Sequence, residues 1–459
     1  MVNRSLVVVV SLIFSTHFAR CQDTTSVSLL FVGDVMQHDS QIRAAYDPVS
    51  KTYDYSACFQ YVKPIIQSAD IAFANLEVTL AGPPYKGYPQ FSAPDELAIE
   101  LKDTGFDVLV TANNHSLDRR KKGLERTIDV LDTLAILHTG TFNDSTARAL
   151  QYPLVFEKNG FRFSLLNYTY GTNGIPVTKP NIVNLIDTLQ MKNDLAKARQ
   201  QKTDVIIVFM HWGTEYQDTP DHSQKKIAQL CLENGATLVI GSHPHVLQPM
   251  EWDSTRNTLV AYSLGNFVSG QQSRYRDGGA MLWVELEKQK ISDSTSVVNI
   301  KNAAYELEWV HRNNAVPKKY FIIPVVEFEE DTIQLASEAA RTAFNVFKKD
   351  SRKLFQNNMN ISESARLPLE TSYYKILLTS TSDSMRVVNS TSVINFYGLN
   401  REQVSDTLFN WTTGKFYDRE VAEQALADIK SSTPFKEAKI VWYYWDRRRE
   451  EGKNLPSGK

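Results

Sequence analysis

Cysteine is scarce in this 459-residue chain, which has three, at positions 21, 58 and 231. That is too few for a disulfide scaffold or a thiolate zinc cluster, so any metal chemistry falls to His, Asp, Glu and Asn. Neither charge is in excess, because 50 Lys and Arg face 52 Asp and Glu. Such a balance builds no basic face and gives no support to a nucleic-acid partner. Long apolar runs are missing as well. The stretch 5–14 (SLVVVVSLIF) falls well short of the about 20 residues that span a bilayer, and no later run is long enough. What is present, 42% hydrophobic and 22% charged residues, excludes a largely disordered chain and suffices for a substantial core.

The short apolar run follows a single basic residue, Arg4, and leads to Ala19 and Cys21 at small-residue positions. That pattern is a secretory signal peptide over 1–21, cleaved before Gln22. A lipid-modified Cys21 is a rival that Arg20, directly before it, argues against, and a retained N-terminal membrane anchor is the other alternative. The expected destination is the periplasm, the cell envelope or the exterior. There Cys58 and Cys231 are free to pair if the fold brings them together.

From 26 to 286, short β-branched runs alternate with helical patterns. The runs lie at 28–32, 71–74, 106–110, 161–166, 205–210, 237–240 and 258–262, and helix-like segments include 123–134, 191–199 and 223–233. Alternation of this kind predicts an α/β domain. Beyond it, 287–459 reads as an α+β extension of unknown role. It has a polar, turn-rich stretch at 292–300, a strand at 320–328, helices at 332–355 and 420–429, and an aromatic cluster at 442–445.

Placement carries the chemistry. Five runs end in residues suited to metal ligation: Asp34; Asn75 and Glu77; Asn113, Asn114 and His115; His211; and His243 and His245. In open α/β sheets, ligand sites gather beyond the carboxyl ends of the strands, where distant segments converge. Pro244 favours extended backbone before it, which predicts that His243 and His245 point to the same side. Imidazole and carboxylate together suit zinc, manganese or iron rather than calcium. Two divalent ions against two carboxylates leave net positive charge, which attracts an anionic substrate.

Read in order, Gly33-Asp34-Val35-Met36, Asn75-Leu76-Glu77, Asn113-Asn114-His115-Ser116-Leu117-Asp118, His211-Trp212-Gly213-Thr214-Glu215-Tyr216, Gly241-Ser242-His243-Pro244-His245-Val246 and Tyr262-Ser263-Leu264-Gly265-Asn266-Phe267 form a specific series. Over about 26–270 the chain resembles the bacterial capsule synthesis proteins of the CapA (PGA_cap) type, a branch of the calcineurin-like metallophosphatase superfamily. The resemblance implies a two-sheet sandwich flanked by helices with a dimetal site at one edge. It makes Glu77 the bridging carboxylate and Asn114 a ligand of one ion. Asp34 and His245 would hold the first metal, and His211 and His243 the second. His115 becomes the residue assisting the leaving group, with Asp118 and Glu215 orienting neighbours and Asn266 facing the site or capping a turn.

Two departures stand out. Met36 occupies the place where the superfamily commonly carries a histidine, leaving one metal short of a ligand unless His38 supplies it. Arg120 stands where the family often has glycine, in a basic run, 119–122, that opens a solvated helix or holds an acidic polymer near the site. The implied function is a metal-dependent hydrolase acting on an anionic polymer or phosphate-containing substrate and linked to poly-γ-glutamate capsule biosynthesis. The alternative is a non-catalytic accessory protein that binds the polymer or a capsule synthase at the membrane.

Overall fold

The computed structural model describes residues 24–292, 295–313, 318–329, 335, 337–364, 372–381, 399–403, 409–416, 419–444 and 447–449. The leader 1–21 and Trp445 lie outside them. Two sheets face each other. The nine-stranded sheet runs in the order Tyr320–Pro324, Ser296–Arg312, Gly278–Lys290, Thr24–Val35, Ile71–Leu76, Val108–Val110 and Leu137–Thr139, with Asn266–Val268 and Ser362–Glu363 attached at its side. The six-stranded sheet is ordered Leu247–Asp253, Thr258–Leu264, Leu238–Ser242, Val205–His211, Phe161–Thr169 and Leu154–Lys158. Each of the seven apolar runs read from the sequence lies in or overlaps one of these strands.

Alternate residues of the two sheets fill the space between them. Leu29, Phe31, Ile71 and Phe73 from one sheet meet Phe163, Leu165, Ile207 and Ile240 from the other in a single buried cluster. The outer faces are covered by helices. Leu30, Ala72 and Leu109 pack under Phe59, Ile65 and Leu97, while Leu166, Val208 and Val239 pack under Leu195, Ile227 and Cys231. Burial on both faces explains why these strands read as continuous apolar runs rather than alternating ones. The helices start where polar caps permit. Asp187 accepts from the Gln190 amide before Thr188–Gln200, and Asp221 with Gln224 forms a capping box before His222–Glu233.

Three expectations change. The division at 286/287 falls inside the strand Gly278–Lys290, and the main sheet continues through Ser296–Arg312 and Tyr320–Pro324. Phe344, Phe347 and Phe355 of the helix Glu338–Phe355 complete the sandwich core. The first unit therefore extends at least to Glu363. Its polar stretch misled because the strand Ser296–Arg312 begins with mostly exposed residues, 296–299, and becomes continuously buried only further along. The segment 320–328 is a strand only to Pro324, which caps the short helix Val325–Phe328. Cys58 and Cys231 are free and lie in clusters beneath different sheets, so they do not pair.

The C-terminal region forms a separate five-stranded sheet, in which Ser372–Thr381 and Lys439–Tyr444 pair. The helix Arg419–Ser432 sets Ala422, Ala425 and Ile429 against Ile376 and Leu378. Among the described residues, no helix is long and apolar enough to cross a membrane.

Candidate metal centre

Strand register brings the polar residues together. Asp34 is level with Asn75, and Asn75 with Val110, so the turn bearing Asn113, Asn114 and His115 follows immediately beyond. In the second sheet His211 is level with Ser242, one residue before His243. The carboxyl ends of both sheets thus open on one edge. Gly33 permits the closest approach there, because a Cβ on it would lie 2.0 Å from the Gly265 carbonyl oxygen. That same carbonyl accepts from the Asp34 amide.

Asp34, Glu77, Asn114, His211, His243 and His245 are all buried. Asn75 Nδ2 sits among them, 2.8 Å from Asp34 Oδ1, 3.4 Å from Glu77 Oε2 and 3.2 Å from His211 Nδ1. Asp34 Oδ2 accepts from His245 Nδ1 at 3.0 Å and from the His243 amide at 3.2 Å. His211 Nε2 is 3.0 Å from Asn114 Oδ1, and its Nδ1 is 3.0 Å from Ser242 Oγ. Glu77 Oε1 has no hydrogen-bond partner, and neither does His243 Nδ1.

These open atoms test whether a cation fits. Glu77 Oε1 stands 3.6 Å from His211 Nε2 and 3.8 Å from His245 Nε2, too far for hydrogen bonds. Two donors on one tetrahedral ion, each at about 2.1 Å, stand about 3.4 Å apart, so the spacing suits a shared ion with small adjustment. Two ligand sets have donor atoms within 4.8 Å of one another: Asp34, Glu77 and His211, and Glu77, His243 and His245. Glu77 belongs to both, as a bridging residue would. The partition differs from the one the resemblance implied, since His211 groups with Asp34 while His243 groups with His245.

Electrostatics point the same way. Burial and the neighbouring Asp34 carboxylate push the Glu77 carboxyl well above its ordinary range. Burial also opposes ionised Asp34, but hydrogen bonds from His245 and Asn75 outweigh it and hold that carboxyl low. Burial and nearby imidazoles push His211 well down, and burial pushes His243 down to about 3. Neutral imidazole is the form that ligates a metal. A buried carboxyl raised by an acidic neighbour is a group that a divalent cation would return to its ionised state.

The route by which the two histidines arrive differs from expectation. His243 and His245 have φ of 99° and 58°, so neither is extended and the alternation rule does not apply. Their backbone turns through left-handed conformations that are costly for residues with a Cβ, by about 1–3 kcal/mol each. His115 stands beside the centre. Its Nδ1 lies 2.7 Å from Asp118 Oδ2, which also accepts from the Phe91 amide, and the Phe91 ring packs edge-on at 4.6 Å. His38 is not brought into either ligand set, because its Nδ1 accepts from the Gly270 amide and its backbone caps the helix Asp39–Ala45. Burial pushes its imidazole down to about 4. Met36 is buried, with its sulfur 3.9 Å from Ser269 Oγ. Asn266 runs parallel to Asp34 and donates to Gln271 and the Arg276 carbonyl. Glu215 is half-buried, close enough to raise Glu77 and Tyr170 further.

Two tyrosines at the mouth escaped the sequence reading. Tyr170 is 47% exposed, with its ring 4.5 Å from His243 and its phenol close to Asn114. Tyr216, 45% exposed, lies 6.2 Å from the His245 ring and carries Arg276 stacked upon it at 4.4 Å. Tyr170 and Asn173 follow the strand Phe161–Thr169, so the rule applied to the other five strand ends would have found Tyr170, whereas Tyr216 lies beyond the end of Val205–His211, within the stretch already read for His211 and Glu215.

Buried imidazoles and carboxylates at the joined strand ends of a two-sheet α/β sandwich define the class: an α/β protein with two side-chain groups placed so that each could hold a metal ion. The chain belongs to the family described as bacterial capsule synthesis protein PGA_cap, whose pattern matches residues 28–271. It is 29% identical over 274 residues to the PGA biosynthesis protein CapA of Bacillus subtilis, covering 57% of this chain and 68% of that one. To the capsule biosynthesis protein CapA of Bacillus anthracis it is 30% identical over 265 residues, covering 54% and 61% respectively. Among solved structures, it is similar to the NAD nucleotidase of Haemophilus influenzae, with 12% identity, a TM-score of 0.38, and coverage of 72% of this chain and 68% of that one.

Proposed function

We propose that this chain is an exported, metal-dependent hydrolase that acts on an anionic substrate, a phosphate ester or glutamyl polymer, in capsule polymer biosynthesis. The observation that carries the reading is the convergence of Asp34, Glu77, His211, His243 and His245 around a buried carboxylate oxygen with no hydrogen-bond partner. These residues would hold two divalent ions of manganese, zinc or iron, with Glu77 shared. Such ions supply Lewis-acid stabilisation of developing negative charge and make water acidic enough to attack near neutral pH.

The protein's own groups do the rest. Asn75 fixes Asp34, Glu77 and His211 relative to one another. Asp118 binds His115 Nδ1 and so leaves Nε2 as the atom that exchanges a proton with the leaving group. Asp118 is itself held by the Phe91 amide, which locks the imidazole before substrate arrives. Tyr170 and Tyr216 flank the entrance, and Arg276 on Tyr216 offers a cation to an arriving anion.

The test is turnover of phosphodiester and γ-glutamyl substrates by the full chain with added manganese or zinc. Hydrolysis that chelation abolishes and metal restores is the expected result. Met36 in the histidine position favours a second reading, an accessory protein that binds polymer or a membrane synthase. Bound metal and tight polymer binding without turnover would establish that one instead.

A further inference from the structure

A second concavity adjoins Gln37, just beyond the strand that carries Asp34. It encloses about 490 Å³, within the range of small-molecule sites, between the helices Asp39–Ala45 and Ser56–Phe59 and the strand Tyr320–Pro324. None of the six ligand residues of the metal centre lines it. Its inner wall is apolar, with Phe59, Leu97 and Val268 buried. Two of its polar wall residues are unsatisfied: Gln37 Oε1 and the Tyr55 hydroxyl are buried without a hydrogen-bond partner. Such atoms carry an unrecovered desolvation cost, and a ligand that satisfied them would recover it. Gln41 and Tyr320 on the same wall are engaged. Gln41 caps its own helix and donates to the Met36 carbonyl, and the Tyr320 hydroxyl is 2.8 Å from Ser40 Oγ.

The rim sets the sign of the charge. Asp47 and Asp54 stand there with Lys319, giving two carboxylates against one ammonium. Hydrogen bonds from Ser50 to Asp47 and from Ser56 to Asp54 keep both carboxylates ionised. The only other titratable groups on the wall are a free thiol, Cys58, and the phenols of Tyr46, Tyr55 and Tyr320. We propose that this cavity binds a small amphiphilic amine. Its apolar body lies on Phe59, Leu97 and Val268, a hydrogen-bonding group meets Gln37 and Tyr55, and its cationic end meets Asp47 and Asp54. The ligand is opposite in charge to the anion expected at the metal centre, so the site is not an extension of that centre.

Three matched probes test this on the full chain: 2-phenylethylamine, 3-phenylpropanamide and 3-phenylpropanoate, titrated by calorimetry or ligand-observed NMR. The amine should bind saturably and at least about fivefold tighter than the amide, the effect of one exposed charge pair, and the carboxylate should not bind. Ala57→Phe should fill the cavity and abolish amine binding while bound metal at the other centre stays unchanged. Asp47→Asn combined with Asp54→Asn, rim changes that leave the core intact, should remove the preference for amine over amide. Absence of amine binding, equal binding of the carboxylate, or a preference that survives the double substitution would each overturn the proposal.

Discussion

Glu77 and Glu308 are both fully buried carboxyls associated with the nine-stranded sheet, and burial pushes both well above the ordinary carboxylate range. Glu306, two residues before Glu308, is pushed up to about 8 by the same cause. The two regions differ in company. Around Glu77 stand Asp34, His211, His243 and His245 from three other chain segments, whereas neither Glu306 nor Glu308 belongs to a metal-holding set among the described residues. Glu306 instead accepts from the Trp283 indole at 3.0 Å. A buried, hard-to-ionise acid is therefore no site by itself. Convergence of complementary ligands at the strand ends makes one, and mid-strand burial among apolar neighbours gives only a stability cost.

Substitutions at the two places should behave in opposite ways. Glu77→Gln removes the shared ligand and should lower bound metal at least tenfold, with turnover lost; elemental analysis of the purified chain checks it. His115→Ala should cost about 10²–10⁴-fold in kcat with metal content intact, the usual worth of a positioned proton donor. Unchanged rates would remove His115 from the mechanism. Glu306→Gln should leave metal and turnover untouched and change the pH dependence of stability. Its carboxyl is protonated in the folded state up to about pH 8, against about 4.5 when unfolded, so the folded state binds the extra proton. Stability from this group is present below about pH 4.5 and is lost as pH rises towards 8. The variant should consequently gain on the order of 3 kcal/mol relative to the parent between pH 5 and pH 8, read by denaturant unfolding at both values.

The smallest effect concerns the entrance to the helix Arg120–Thr133. Arg120 has a φ of 58°, the left-handed region in which glycine is at ease, and this accounts for the glycine the family often carries there. Arg120→Gly should stabilise the chain by up to about 1 kcal/mol. Arg119 meanwhile donates to the Pro84 carbonyl, and Lys121 lies 3.5 Å from Glu125, so the basic run opens a solvated helix.

The sandwich strands were legible because burial on both faces leaves unbroken β-branched runs such as 205–210. The site was legible because each of those runs ends in ligand-type residues. Less was readable where the chain leaves regular geometry. The left-handed turns at His243 and His245 have no signature in His-Pro-His, and His38 showed its commitment to Gly270 only when the loop was folded. The continuation of the main sheet past 286 was hidden for another reason. The first residues of Ser296–Arg312 are mostly exposed and read as polar, and the helix Glu338–Phe355 buries only Phe344, Phe347 and Phe355 fully in this core, with Ala340 and Leu354 packed partly against it.

The most direct measurement is anomalous scattering from crystals of the full chain grown with manganese or zinc. The account predicts peaks within about 2.0–2.3 Å of Glu77, of the imidazoles of His211, His243 and His245, and of Asp34, with none beside Glu306 or Glu308. Crystals that take up metal only elsewhere, or leave the space around Glu77 Oε1 without a cation at saturating concentration, would contradict it.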